Sequence, residues 1–381
     1  MKHLKKYYSH SLVLIPTIII LVFQVGCRSK EQTSQSSKST IQKTSLMKQA
    51  SSSFGELPDR VPNPQNPLNE AKIKLGEKLF YDTRLSRSNT ISCNSCHNMA
   101  TYGVDNNPTS MGHGWRLEPR NAPTVLNAAL HISQFWDGRA ENVEAQAKGP
   151  MMNPVEMGGP AKDHSDLAVK RIASIEEYVT AFKKAFPDSS NEVSLKHITD
   201  AIGAYERTLT TPAPIDKFIN GDDNALTNMQ KKGLQTFMEV GCTTCHNGAA
   251  IGGEMYQKFG MVQGPYWKFT GSTHHDIGRA GVTEKASDKY VFKVPTLRNV
   301  ARTYPYFHDG SVWRLEKAVA IMAQTQLGKD LSQEQTDEIV AFLHSLTGKI
   351  PDNMRTLPLL PPSDNNTPKP DFTTFHDMSS Q

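Results

Sequence analysis

Apolar residues recur at helical spacing in both halves of the chain, while the alternating patterns typical of strands are scarce. In the first half the pair Asn66-Pro67 predicts a helix start, with an N-cap followed by a proline in the first turn. The apolar stripe of this predicted helix consists of Leu68, Ala71, Leu75 and Leu79. In the second half Thr227 and Gln230 form a capping-box pattern before Leu234, Phe237 and Met238.

These two predicted helices share a further pattern, Gly76-x-x-x-Phe80 and Gly233-x-x-x-Phe237. The glycine would let each helix lie close to another element, and the aromatic ring could pack beside a bound group. Each pattern stands before a short cysteine motif. The sequence therefore predicts an internal repeat.

Three more helices are predicted, over Leu195–Leu209, Leu315–Gln326 and a closing segment that Ser332 and Gln335 cap and Gly348 ends. The expected fold class is thus mainly α. Thr211-Pro212-Ala213-Pro214 breaks the helical pattern, so we place a domain boundary near residues 210–219, between domains 60–212 and 213–350. The proline-rich residues 351–381 predict an irregular tail.

The N-terminus reads as a targeting segment. Lys2, Lys5 and Lys6 precede the apolar stretch Ser11–Phe23, and residues 1–26 are predicted to be a signal peptide. Val25-Gly26-Cys27 resembles a lipoprotein processing site with Cys27 as the lipidated residue, although Gln24 stands where Leu is usual. A secreted protein and an uncleaved anchor are the alternatives.

Residues 27–59 follow as a predicted flexible tether, because Arg28–Ser53 is rich in polar residues and poor in large apolar ones. The formal charge of +4 belongs mostly to the leader, whose removal takes three lysines and no acids. Without a basic stripe, nucleic acid is not an expected partner. The expected localisation is the periplasm, with a lipid anchor as the only membrane contact. The outer membrane is favoured as the membrane that carries this anchor.

Two copies of C-x-x-C-H carry the chemistry: Cys93-Asn94-Ser95-Cys96-His97 and Cys242-Thr243-Thr244-Cys245-His246. This spacing is the attachment signature of c-type haem, in which two thiols bind the haem vinyl groups and the histidine binds the iron. A zinc site needs four ligands, and a thioredoxin-like pair has no use for the histidine. The two motifs therefore predict two covalently bound haems.

The segments around these motifs resemble the bacterial di-haem cytochrome c peroxidases and their relatives over about residues 60–350. Between the motifs stand Arg120-Asn121-Ala122-Pro123-Thr124, Phe135-Trp136-Asp137-Gly138-Arg139, Gln146 and Pro154-Val155-Glu156-Met157. After the second motif come Lys293-Val294-Pro295-Thr296-Leu297-Arg298-Asn299 and Pro305-Tyr306-Phe307-His308-Asp309-Gly310. The resemblance implies two cytochrome c-like haem domains in tandem.

The resemblance also implies the iron ligands. His97 and His246 are the proximal ligands, and Met322 is the distal ligand of the C-terminal haem, where a thioether raises the reduction potential. Core packing is the alternative role for Met322. His113, between two glycines that allow its loop to rearrange, matches the removable distal ligand of the N-terminal haem. An exposed loop histidine is the alternative.

The other expected site residues also rest on the resemblance. Gln146 and Glu156 match the groups held over peroxide, where a carboxyl moves a proton and an amide steadies charge. Trp136 would pass electrons between the haems, or serve only as a buried structural residue. Asn121, with the carbonyls of Thr303 and Pro305, resembles a Ca²⁺ site at the domain interface. His308 is expected near that interface without an assigned role.

The implied function is reduction of hydrogen peroxide to water with electrons from a small periplasmic cytochrome c or blue-copper protein. The alternatives are a MauG-like di-haem oxidase acting on another substrate and a non-catalytic di-haem electron-transfer cytochrome. Relatives of the MauG type carry Tyr where this chain has Met322, which favours the peroxidase. A homodimer is consistent with the resemblance, and no surface pattern in the sequence establishes it.

Overall fold

Helices form most of the regular structure in a computed structural model that describes residues 43–159, 161–189 and 193–373. The leader and Cys27 therefore lie outside the described residues. The helices of the first half are α1 (Ser45–Ser53), α2 (Glu70–Tyr81), α3 (Cys93–Cys96), α4 (Val143–Met152), α5 (Ala161–Ala173), α6 (Glu176–Ala185) and α7 (Leu195–Glu206).

The second half adds further helices and one small sheet. The helices are α8 (Pro214–Ile219), α9 (Asn228–Val240), α10 (Trp267–Thr270), α11 (Ala280–Thr283), α12 (Leu315–Met322) and α13 (Gln333–His344). Strands β1 (Tyr256–Lys258) and β2 (Val291–Lys293) pair antiparallel, with Gln257 opposite Phe292. The expectation of a mainly α fold is confirmed. In the described part of the chain, no helix combines the length and apolar character that a membrane span requires.

The two halves repeat one helix crossing. Helix α2 packs on α7, and α9 packs on α13. A Cβ atom at Gly76 would lie 1.8 Å from the Ala201 carbonyl oxygen, and one at Gly233 would lie 1.8 Å from the Glu338 carbonyl oxygen. Both glycines therefore allow the close helix approach that the sequence pattern predicts.

The loops between the crossing helices also repeat. Asn127 and Asn299 both adopt the left-handed conformation, with φ of 63° and 64°. Both side-chain amides donate to the same acceptor, the buried Thr211 hydroxyl, at 2.9 Å. Phe135 and Phe307 are left-handed as well, and an antiparallel bridge encloses each of them, Gln134–Ala140 and Tyr306–Val312. The repeat thus covers the loops as well as the helices.

Each half has its own hydrophobic core. The first is built around α2, α6 and α7 and includes Phe80, Tyr178 and Phe182. The second is built around α9, α12 and α13 and includes Phe237 and Phe342. All described residues nevertheless belong to one compact unit, Gln42–Gln381.

The structure corrects the prediction of a flexible tether for residues 43–59. Thr44 caps α1, and Met47, Ala50 and Phe54 of this segment are fully buried in the second core. The Phe54 ring stacks on Phe342 with 6.2 Å between ring centroids. A few apolar residues at helical spacing were enough to dock an otherwise polar segment.

Some helix ends differ from the predictions, whereas the capping boxes at Thr227 and Ser332 are confirmed. Helix α2 begins after Asn69, because the Asn66 side chain is buried and binds Glu144 and Lys72 instead. Helix α13 ends at His344, before Gly348. A Cβ at Gly348 would lie 2.2 Å from the Thr211 carbonyl oxygen, so that glycine serves close packing rather than helix termination. Helix α7 likewise ends at Glu206.

The described part of the tail, residues 351–373, is irregular apart from a short 3₁₀ turn at Asp352–Met354, as expected from its prolines. It returns to the first half, where Arg84 donates to the Pro361 carbonyl and Arg171 donates to the carbonyls of Pro368 and Lys369. Arg171 is fully buried beneath it. The tail is therefore bound to the first half along much of its length.

Candidate active site

The second half contains a deep pocket between its cysteine motif and α12. Cys242, Cys245 and His246 line one side of this pocket, and Met322 also lines it. Aromatic and aliphatic side chains supply most of the rest, including Phe237, which the sequence pattern had predicted to lie beside a bound group. We call this cavity the C-terminal pocket.

Burial of the His246 ring lowers the pKa of its imidazole to about 4. The ring is therefore neutral at physiological pH, the form in which histidine binds a metal ion. Two thiols, a neutral imidazole and a thioether in one apolar cavity fit the covalent attachment and axial ligation of a c-type haem.

The first half contains a smaller pocket, the N-terminal pocket, at the equivalent cysteine motif. Cys96 and His97 line it together with Gln146 and Glu156. Burial lowers the pKa of His97, and the carbonyl of Gly103 lies 3.4 Å from its Nδ1 atom. This wall also fits a haem, while the remaining walls are more polar than those of the C-terminal pocket.

The repeat shows how the two pockets differ. Helices α4 and α12 begin at the same distance after their respective Asp-Gly turns, Asp137-Gly138 and Asp309-Gly310. In this register Met322 corresponds to Pro150, which has no side-chain atom able to bind a metal, and Gln146 corresponds to Ala318. Helix α12 thus brings a thioether to its pocket, whereas α4 brings only an amide.

Buried and half-buried carboxyl groups gather around the N-terminal pocket. Glu156 accepts a hydrogen bond from the Asn153 side-chain amide at 2.7 Å, while burial raises the pKa of its carboxyl group. Burial and the charge of Glu156 raise the pKa of Glu118 to about 7. Burial also raises the pKa of Glu206 to about 8. The pocket can therefore hold protons near neutral pH.

The sequence analysis missed Glu118 and Glu206 as pocket residues. Glu118 lies two positions before the quoted motif that starts at Arg120, but no spacing rule connects it to Glu156. Glu206 lies in an apolar stretch of α7, and a carboxylate among buried positions was the available signal.

His113 is 2% exposed but does not line the N-terminal pocket. Its Nε2 donates to the Thr373 carbonyl oxygen at 2.9 Å, and its Nδ1 is buried without a partner. The backbone N–H of His113 donates to the carbonyls of Val155 and Glu156, which fixes the loop against the segment that carries Glu156. The structure therefore places His113 beside the pocket, with its ring bound to the tail.

Trp136 lines both pockets, and its indole N–H donates to the Asn121 carbonyl at 2.9 Å. The adjacent Asp137 is paired with Arg120, which also binds Asp276 of the second half. These ion pairs fix the position of the indole between the two cavities. His308, the residue equivalent to Trp136 in the repeat, is 2% exposed and stacks on Phe292.

The three expected calcium ligands line the C-terminal pocket together: Asn121, Thr303 and Pro305. The Asn121 amide nitrogen donates to the Asn107 carbonyl at 2.8 Å, so its amide oxygen is the group that remains for a cation. In the described part of the chain, no cluster of three or more His, Cys, Asp and Glu side chains suits a metal ion.

Comparison with known proteins identifies the family. Residues 70–224 match the model of the di-haem cytochrome c peroxidase family. The chain is 50% identical over 331 residues to cytochrome c551 peroxidase of Pseudomonas aeruginosa, covering 86% of this chain and 93% of that protein. It is 48% identical to cytochrome c551 peroxidase of Nitrosomonas europaea, covering 80% of this chain and 87% of that protein.

The chain belongs to the di-haem cytochrome c peroxidase family. The methylamine utilization protein MauG of Methylorubrum extorquens is more distant, at 33% identity over 80% of this chain and 86% of that protein. Among solved structures, a MauG-like protein associated with microbial copper homeostasis has a TM-score of 0.69 at 26% identity, covering 80% of this chain and 99% of that protein. Both the sequence and the fold therefore agree with the predicted resemblance.

Proposed function

We propose that this protein is a di-haem c-type peroxidase that reduces hydrogen peroxide to water, with two electrons from a small carrier and two protons. The observation that carries the proposal is the difference between the repeated pockets. One presents Met322, whereas the other has Pro150 at that position and carries Gln146 and Glu156. Relatives named cytochrome c551 peroxidase, which are about half identical to the chain, support the same function.

The two haems would attach through Cys93 and Cys96 in domain 60–212 and through Cys242 and Cys245 in domain 213–350. When bound, they supply the electrons and the site for peroxide. His97 and His246 would each bind an iron, and Met322 would favour the reduced state of the C-terminal haem, which suits the centre where electrons enter. Trp136, which lines both pockets, lies on the path between them.

Glu156 would transfer a proton between the two peroxide oxygens, because its pKa is raised and its carboxyl is oriented by Asn153. Gln146 would donate a hydrogen bond to the oxygen that gains charge. His113 would be a removable ligand of the N-terminal haem, which must be away from the iron when peroxide enters. Its loop fits this role, because Gly114 adopts a left-handed conformation with φ of 64°.

We further infer that Asn121, Thr303 and Pro305 bind Ca²⁺ through oxygen atoms. Since these residues come from both halves, the ion would join them. The leader and Cys27 support a lipid-anchored protein of the periplasm that receives electrons from a cytochrome c or a blue-copper protein. A homodimer remains part of the proposal.

Steady-state peroxide consumption tests the function. Purified protein with both haems attached is assayed fully oxidised and after addition of one electron, with Met322→Ala alongside. Activity that appears only after the one-electron step supports a peroxidase gated by His113, and activity in the oxidised protein supports a peroxidase without the gate. No activity in either state, with competent donors present, would contradict the proposal in favour of electron transfer or a MauG-like oxidase.

A further inference from the structure

Lys293, the last residue of β2, is a buried cation that the proposed mechanism does not use. Its side chain is 6% exposed, and its ammonium donates to the Nδ1 of His131 at 3.0 Å and to the Ser133 carbonyl at 2.9 Å. Because Nδ1 accepts this hydrogen bond, the proton of the neutral His131 ring is on Nε2. That N–H is buried and has no acceptor.

This charge has no direct ion-pair partner in the part of the chain that the structure describes. Among the described residues, no Asp or Glu lies within ion-pair distance of Lys293, and the nearby Asp137 is already paired with Arg120 and Arg139. Burial lowers the pKa of Lys293 to about 7 and lowers that of His131. A buried ammonium and a buried N–H without an acceptor both cost free energy unless an anion is bound.

Both side chains line the C-terminal pocket. We propose that Lys293 and His131 bind a carboxylate there, namely a propionate group of the C-terminal haem. A carboxylate would neutralise the ammonium and accept the orphaned N–H, which satisfies both groups at once. This inference rests on the proposed function only in requiring a haem in this pocket.

The pair would also tune the haem. A cation held in a poorly solvated cavity favours the electron-rich state of the iron, so Lys293 is a positioning residue that raises the reduction potential of the C-terminal haem. This effect would add to that of Met322. The reduction potential of this haem can be measured independently of peroxide turnover.

The test compares Lys293→Met, Lys293→Arg and Lys329→Met in protein with both haems attached. Lys329 is an exposed lysine near Cys242, so its substitution removes the same charge outside the pocket. The midpoint potential of the C-terminal haem is measured by spectroelectrochemistry, and its propionate vibrations by resonance Raman spectroscopy. We expect Lys293→Met to lower the potential and shift the propionate band. Lys293→Arg should keep both the potential and the band near those of the unmodified protein. Lys329→Met should change neither appreciably.

Unchanged propionate vibrations in Lys293→Met would overturn the inference, even if the potential moved. If that variant does not fold, His131→Leu serves instead, because it removes the Nε2 donor while Lys293 is kept, and it should shift the same band by less. An unshifted band in that variant would likewise reject the propionate contact. Absence of a haem at Cys242 and Cys245 would instead contradict the proposed function, so the two failures are distinguishable.

A second, independent observation concerns the tail. Residues 361–373 are held on the first half by Arg84, by the buried Arg171 and by an ion pair of 2.7 Å between Arg87 and Asp371. The other carboxylate oxygen of Asp371 accepts from the backbone N–H of Thr373 at 2.9 Å. This turn fixes the carbonyl that accepts the hydrogen bond from His113.

We infer that the tail is a latch that holds His113 away from the N-terminal pocket. The ring does not line that pocket, so binding to the iron requires it to move and to break the contact with Thr373. Each anchor of the tail therefore favours the state with an open distal side. The inference rests on the proposed ligand role of His113 and adds the segment that competes for it.

Asp371→Ala tests the latch without shortening the chain, because it removes both the Arg87 ion pair and the turn at Thr373. Asp364→Ala is the matched control, since Asp364 closes a turn of the same tail through Asn366 and Thr367. We expect Asp371→Ala to raise the low-spin fraction of the oxidised N-terminal haem severalfold by electron paramagnetic resonance. The control should leave this fraction unchanged, and adding His113→Ala should abolish the increase.

An unchanged low-spin fraction in Asp371→Ala would reject the latch, as would an increase that persists without His113. A low-spin, His113-ligated haem in the unmodified oxidised protein would also contradict it. Deletion of residues 370–381 provides a second variant with the same expected outcome. Peroxide turnover of the reduced protein is measured separately, so rejection of the latch can be distinguished from rejection of the proposed peroxidase function.

Discussion

Met322 and Pro150 occupy equivalent positions of two repeated helices, and this one difference separates the chemistry of the two pockets. A thioether can remain on an iron and favour its reduced state, whereas proline leaves the corresponding face without a ligand. Around that face the protein has placed Gln146 and Glu156. The proposed division into an electron-entry centre and a reaction centre would thus arise from individual side chains within a common framework.

Replacing Met322 should alter the electron-entry centre selectively. Met322→His is expected to keep an axial ligand but lower the midpoint potential of the C-terminal haem, because imidazole favours the oxidised iron more than a thioether does. Spectroelectrochemistry measures this change. Met229→His, on an exposed position of α9, is the control and should leave the potential unaltered.

Replacing Glu156 should affect proton transfer. Glu156→Gln is expected to reduce peroxide turnover by about 10²–10⁴-fold, the usual contribution of a positioned acid or base. Haem content and the potential of the C-terminal haem should be retained, as measured by absorbance and spectroelectrochemistry. Turnover close to that of the unmodified protein would exclude Glu156 as the proton-transfer group.

Glu144 gives a prediction for the pH dependence of stability. Two hydrogen bonds from Arg207 and others from Asn63 and Asn66 outweigh burial and hold the pKa of Glu144 at about 2. The folded protein thus keeps this carboxylate charged at pH values where the unfolded chain takes up a proton. The stabilisation is present above the ordinary glutamate pKa and is lost as the pH falls towards 2.

Urea unfolding at a series of pH values measures this effect. Glu144→Gln should be less stable than the unmodified protein at pH 7, by about 3–5 kcal/mol for a broken buried ion pair. The difference should shrink as the pH falls below about 4.3. A difference independent of pH would mean that the charge of Glu144 is not what stabilises the fold.

At the scale of elements, two helix crossings define the framework, and each depends on a glycine. The α2–α7 and α9–α13 pairs approach so closely that a methyl group at Gly76 or Gly233 would overlap a carbonyl group of the facing helix. The sequence pattern predicted this approach, because glycine inside a helix is costly unless packing requires it. It did not identify the partner helices, since nothing in a local pattern specifies which distant carbonyl lies opposite.

Gly233→Ala should therefore destabilise the second half. Overpacking of this kind costs about 1–3 kcal/mol, and more where the obstacle is backbone that cannot move. Chemical denaturation measures the loss. Gly281→Ala in α11 is the matched control, because a Cβ there meets only Ile277 at 3.8 Å and alanine is the better helix former.

At the scale of the whole molecule, the chain ends were the hardest part to predict from sequence. The cysteine motifs and the repeat could be recognised from local spacing, but α1 and the tail depend on contacts with residues far away in the chain. Polar composition argued for a flexible segment at residues 43–59, and the burial of Met47, Ala50 and Phe54 against the second core overrides it. Likewise, no pattern near Thr373 pointed to His113.

Phe54→Ala tests the importance of α1. Loss of a fully buried aromatic side chain costs about 3–5 kcal/mol, so the free energy of unfolding should fall by that amount. Phe372→Ala is the control, because that ring is 67% exposed. Equal stability of the two variants would show that α1 contributes nothing to the core.

The shared hydroxyl of Thr211 has a consequence for how such a protein can be recombined. Thr211 lies in the short connection between α7 and α8, and its hydroxyl accepts a hydrogen bond from one side-chain amide of each half. The backbone N–H of Thr211 donates to the side-chain oxygen of Asn127. One inserted or deleted residue in this connection would break all three contacts and leave buried polar groups unpaired. Chimaeras that exchange halves between relatives should therefore fold only when the length of this connection is conserved.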